Sequence, residues 1–122
     1  PLVLIADNDP QSASTIEAQL SQSGWPSRRV SQKADLIGFA GEAGIIFIDP
    51  AFAGSDANPF VAEVAQKFPT AHLVLVAKDV EAFAGLRRYI FECIERPVRP
   101  IRLDSILQHS SERRRLQDRV RQ

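Results

Sequence analysis

The sequence predicts an alternating α/β domain, a parallel five-stranded sheet covered by helices on both faces. Short apolar runs alternate five times with amphipathic stretches along the chain. The runs at 2–6, 45–48 and 72–77 are almost wholly apolar, as parallel strands buried on both faces must be. Two of them end in acid: Leu2-Val3-Leu4-Ile5-Ala6 leads into Asp7-Asn8-Asp9, and Ile45-Ile46-Phe47-Ile48 into Asp49-Pro50. Right-handed crossovers between five β-α units give a doubly wound sheet. Ligands of such sheets gather at the carboxyl ends of the strands, so acids there converge on one crevice.

Each element has its own signal. Strands are expected at 2–6, 27–30, 45–48, 72–77 and 91–94. Asp9-Pro10 supplies the N-cap and first turn of the first helix, Ala13, Ile16, Ala18 and Leu20 its apolar positions, and Gly24 its end. Lys33–Ala40 is a short second helix. Asn58-Pro59 opens a third, bearing Phe60, Val61, Val64, Ala65 and Phe68, and Pro69 stops it. Val80–Tyr89 is expected as a fourth. Pro100 starts the last, with Ile101, Leu103, Ile106 and Leu107 apolar, and its pattern runs on toward Gln122.

The 122 residues suit one domain with one core. Net charge is zero, so nothing global draws the chain to nucleic acid or membrane. Residues 112–122 alone hold five Arg against Glu112 and Asp118. One cysteine, Cys93, rules out an internal disulfide and fits a reducing compartment. No apolar run nears the roughly 20 residues that span a bilayer, and no signal-peptide pattern opens the chain; the expectation is cytoplasmic. A start at Pro1 and a helical pattern still running at Gln122 are expected of a piece of a longer protein.

The strand ends bring together Asp7, Asn8 and Asp9; Asp49; Ala77 and Lys78; and Glu95, Arg96 and Pro97. This set resembles, over nearly the whole chain, the receiver domain of two-component response regulators. Ile5-Ala6-Asp7-Asn8-Asp9-Pro10 is similar to the family's acid pair after the first strand. Asp49 matches its phosphoacceptor aspartate, and Cys93-Ile94-Glu95-Arg96-Pro97 its switch residue followed by Lys-Pro. The resemblance implies a flavodoxin-like (βα)5 sandwich of strand order 2-1-3-4-5. It also implies Mg²⁺ held by Asp7, Asn8, Asp49 and the Ala51 carbonyl, oxygen ligands that suit a hard cation. The carboxylate would take a phosphoryl group from a histidine kinase or phosphotransfer protein.

Several matched positions depart from the pattern. Asn8 replaces the second acid and removes a charge from the metal site. Ala77 stands where the family has Thr or Ser, Arg96 where it has Lys, and Cys93 at the aromatic switch position. Arg is no geometric equivalent of Lys. The expectation is a regulatory receiver or pseudo-receiver, no enzyme, in which Arg96 pairs with Asp49 or Asp7 and neutralises the pocket without metal.

The remaining features have plainer expectations. His72 and His109 are isolated surface or boundary residues. Cys93 is a small buried hydrophobe, Phe39, Phe47, Phe60, Phe68, Phe83 and Phe91 are core, and Trp25 is a packed turn residue. The domain is expected to occupy 1–110. Residues 111–122 would be a helical extension toward an output domain after residue 122. Ile106, His109, Arg113, Leu116 and Val120 form an interrupted 3-4-3-4 seam through which the last helix could pair with a second copy. The rival expectation is an interaction or dimerisation module that is never phosphorylated. The Arg cluster lacks the aromatic interleaving of a nucleic-acid arm. Asp7-Asn8-Asp9-Pro10 would repel nucleotide phosphates where a Gly-rich loop cradles them.

Overall fold

The computed structural model describes residues 2–121, apart from the side chains of 53, 55–57 and 118–121. The strands are β1 (Leu2–Ala6), β2 (Ser27–Arg29), β3 (Ala43–Ile48), β4 (His72–Ala77) and β5 (Glu92–Glu95). The α-helices are α1 (Pro10–Gln22), α2 (Lys33–Ala40), α3 (Ala57–Lys67) and α4 (Pro100–Arg121). Two 3₁₀ segments, Pro50–Asp56 and Val80–Tyr89, complete the described chain. The sheet has the order β2-β1-β3-β4-β5 with every pairing parallel. That is the predicted topology.

Side chains alternate across the strands and split the core in two. Val3, Ile5, Ile45, Phe47, Val74, Val76 and Ile94 face α1 and α4, meeting Ile16, Leu20, Leu103 and Ile106. Leu4, Ala6, Ile46, Ile48, Leu73 and Leu75 face the opposite layer, meeting Leu36, Phe60, Val61, Val64 and Leu86. All six residues of β3 are buried. Each large apolar side chain among them contributes about 2 kcal/mol.

Local chemistry sets the boundaries. Asp9 caps α1 as expected, its carboxylate accepting from the Ser12 N–H, and Pro10 follows in the first turn. Gly24 takes φ 78°, a conformation that costs other L-residues strain. Of the expected core phenylalanines, Phe47 and Phe60 are buried, Phe39, Phe68 and Phe83 are partly buried against the core, and Phe91 is half-buried, stacked on His72 outside the core clusters. Trp25 and Cys93 pack the same way, and burial raises the Cys93 thiol pKa.

Four expectations need correction. Val80–Tyr89 is 3₁₀ rather than α, broken at Phe83 (φ −115°, ψ 26°), because only Leu86 on it is buried and a regular helix would have little face to dock. β5 lies one residue later than expected, at Glu92–Glu95, and β3 begins two residues earlier, at Ala43. His72 is enclosed rather than at the surface. On α4 the expected seam starts in the core at Ile106 and continues along the helix as the exposed His109, Arg113 and Leu116, while the Val120 side chain lies outside the described residues.

Candidate functional site

Sheet register builds the crevice. Ala6 pairs with Ile48, so Asp7 and Asp49 leave adjacent strands side by side. The Asp49 N–H donates to the Ala6 carbonyl at 3.0 Å, extending that ladder by one bond. Ala77 pairs with Glu95, and the Arg96 N–H donates to the Ala77 carbonyl at 2.9 Å. β5 is two strands from β3, roughly 10 Å away. Only a long side chain crosses that span, and Arg96 does.

One nitrogen of Arg96 joins both acids. Its Nη2 donates to Asp7 Oδ1 at 2.6 Å and to Asp49 Oδ2 at 2.8 Å. Nη1 donates to the Val76 carbonyl at 3.3 Å, and Nε to Ser12 Oγ at 3.0 Å. The Ser12 hydroxyl in turn donates to Asp9 Oδ2 at 2.6 Å. Asp9 also lies 3.5 Å from Arg96 Nε. Three carboxylates thus face one guanidinium, and charge-assisted bonds of this kind are the stronger class.

The acids differ in environment. The Asp7 side chain is wholly buried and that of Asp49 is 15% exposed. Burial pushes the Asp7 carboxyl above its ordinary pKa, against the opposing pull of the Asp9 N–H and of Arg96. Its Oδ1 accepts from the Asp9 N–H at 3.0 Å, while Oδ2 is buried with no partner among the described residues. Asp9 is only partly buried, and its bonds from Ser12 lower its pKa. Burial works against the Arg96 cation, but Asp7 and Asp49 outweigh it and raise its pKa.

Most of the residues expected at the site gather there. Asp7, Asp49 and Arg96 meet, and Arg96 pairs with both acids rather than one. Ala77 is buried at the strand end and offers no hydroxyl. Asn8 is exposed and makes no hydrogen bond among the described residues, so it does not join the acids. Ala51 faces the crevice through its N–H, which donates to Asp49 Oδ1 at 2.9 Å. Ser12 was missed. Its signal was present: it is a polar residue on the buried stripe of α1 with Ala13, Ile16 and Leu20.

The arrangement does not fit Mg²⁺. A cation bonded to Asp7 Oδ1 and Asp49 Oδ2 at about 2.1 Å would need the space that Arg96 Nη2 fills. Among the described residues no group of three or more His, Cys, Asp or Glu is placed to hold a metal. What the crevice does chemically is neutralise two converging carboxylates internally. Elsewhere among the described residues, no helix is long and apolar enough to cross a membrane.

No family model matches the chain. No curated protein matches it in sequence either. Solved structures do match its fold. The signal receiver domain of a LuxO repressor protein from Vibrio parahaemolyticus superposes with a TM-score of 0.82 at 18% identity, covering 98% of this chain and 96% of that one. The receiver domain of NtrX from Brucella abortus gives 0.78 at 19%, covering 92% and 98%. A structure described as a novel family of redox sensors in the streptococci, evolved from two-component response regulators, gives 0.82 at 14%, covering 97% of this chain and 54% of that one. The order of five parallel strands, the strand-end crevice and these superpositions agree: this chain has the fold of response regulator receiver domains.

Proposed function

We propose that this chain is a regulatory receiver module of the pseudo-receiver kind, part of a signalling protein, in which conventional phosphorylation switching is lost. The observation that carries this is Arg96 Nη2 bonded at once to Asp7 and Asp49. A nucleophilic carboxylate needs a free oxygen and a cation to offset the incoming phosphoryl charge. Here Asp49 Oδ2 accepts from Arg96 and Oδ1 from the Ala51 N–H. Ala77 also lacks the hydroxyl that would engage a phosphoryl group. A histidine kinase or phosphotransfer protein would therefore find Asp49 a poor acceptor. The module would act through docking, with residues 111–122 leading to an output domain after residue 122 and no enzymatic activity of its own.

The test is incubation with Mg²⁺ and a small-molecule phosphodonor or beryllofluoride. The expected result is no mass increase and no amide shift around Asp49. A mass increase abolished by Asp49→Asn would overturn the proposal and make Asp49 a working phosphoacceptor.

A second function is favoured by one observation: Leu116 is 59% exposed beside Phe91, Glu92, His109, Glu112 and Arg113, which line a surface groove with it. A second copy could pair there through α4. Sedimentation would give a dimer for the chain and a monomer for Leu116→Glu; equal monomeric masses would remove this function.

A further inference from the structure

We propose that Arg96 is a built-in occupant of the place a divalent cation would take between Asp7 and Asp49, and that Ser12, held by Asp9, is the positioning residue that keeps it there. This rests on the pseudo-receiver proposal above and names what closes the crevice. Without the arginine, the same oxygens form a latent site for a hard divalent cation.

Two observations point to it independently. The first is the position of Arg96 Nη2, within 2.6 Å of Asp7 Oδ1 and 2.8 Å of Asp49 Oδ2. A cation bound by both oxygens and this nitrogen cannot occupy the same volume. The second is Asp7 Oδ2, buried with no partner among the described residues. A buried carboxylate oxygen left unpaired is costly. It is a ligand atom that the arginine, bonded to Oδ1, does not satisfy.

Ser12 explains why the arginine stays. Its hydroxyl has one proton and accepting lone pairs. The proton goes to Asp9 Oδ2 at 2.6 Å, which leaves the oxygen to accept from Arg96 Nε at 3.0 Å. Ser12 is 4% exposed, so water has little access to replace it. With Nε held there and Nη1 on the Val76 carbonyl, the guanidinium plane is fixed on its third and fourth contacts. A lysine could make one such contact at a time, because its ammonium is a point charge without a fork.

The test follows Mn²⁺ titration of the full chain by amide spectra, in which bound Mn²⁺ broadens nearby signals. In the unmodified chain the amides of residues 7, 8, 49 and 51 should stay sharp at Mn²⁺ concentrations that broaden them in Arg96→Met. Affinity at the crevice should rise roughly tenfold or more, the scale on which neighbouring groups change metal sites. Arg96→Lys keeps the charge and should also admit Mn²⁺, which decides the matter if Arg96→Met fails to fold. Ser12→Ala should bind Mn²⁺ better than the unmodified chain, and Ser12→Thr should restore exclusion.

Crevice broadening in the unmodified chain equal to that in the Arg96 variants would overturn the proposal. So would sharp crevice signals in a folded Arg96→Lys. If Ser12→Ala excludes Mn²⁺ as fully as the unmodified chain, the role of Ser12 falls. The two proposals fail separately. A chain that excludes Mn²⁺ yet is phosphorylated on Asp49 sinks only the functional one. A chain that binds Mn²⁺ in the crevice and resists phosphodonors sinks only this one.

Discussion

The two ends of the sheet each hold an arginine, one following β5 and one from α4, and the two arginines meet opposite chemistry. At the carboxyl end Arg96 meets the carboxylates of Asp7 and Asp49. At the amino end Arg114 of α4 donates to the carbonyls of Gly44 and Thr70 and meets no carboxylate among the described residues. Beside it His72 shares a 2.6 Å hydrogen bond with Ser110 through Nδ1 and stacks on Phe91 with ring centroids 4.2 Å apart. Burial first, then Arg114 and Arg113, push the His72 pKa down to about 4. One end balances charge with charge. The other gives its arginine carbonyls instead and keeps its histidine neutral, so the same residue type serves as a counterion in one place and as a tether in the other.

That contrast can be broken at three points, the largest first. Arg96→Ala leaves Asp7 buried and uncompensated beside Asp49, which should cost about 4 kcal/mol in urea unfolding at neutral pH. In an Asp7→Asn/Asp49→Asn background the same substitution should cost less than half as much. Equal losses in both backgrounds would mean that Arg96 acts by packing, not charge.

Acid is the probe of the other end. The folded pKa of His72, about 4, lies below its ordinary value of 6.5. The unfolded chain therefore takes up the proton first, and stability present above pH 6.5 is lost as pH falls toward 4. The full loss is about 3 kcal/mol. His72→Gln should flatten this part of the stability profile; an unchanged slope would assign the loss to other groups. The smallest effect concerns the partner of that ring. Ser110→Ala removes one buried hydrogen bond and should cost about 1 kcal/mol, read as a shift in the urea midpoint at constant slope.

Much of this was legible because it depends on periodicity. β1, β3 and β4 are buried on both faces, so their apolar runs were unambiguous; the strand order came from the family resemblance, because five alternating units alone are compatible with more than one order. The acids at two strand ends marked the crevice for the same reason. Arg96 could be assigned as a partner for Asp49 or Asp7 from charge alone, but that one nitrogen serves both depends on register and reach. Ser12 was hidden because a serine in the first turn of a helix is ordinary; only its neighbours on the buried stripe distinguish it. His72 was expected at the surface or boundary because it has no partner near it in the sequence, yet α4 covers it with Ser110, 38 residues away. Val80–Tyr89 had an amphipathic pattern, and the pattern does not report that a single buried leucine holds the segment down.

The Ser12 hydroxyl has a mechanical consequence. Asp9 is the cap of α1 as well as the acceptor for Ser12, so the start of that helix and the guanidinium share a fastening. Anything that drew Arg96 out of the crevice would leave the Ser12 oxygen without its donor and free it to turn. The first turn of α1, not a loop, would then be the nearest part of the molecule to register the departure.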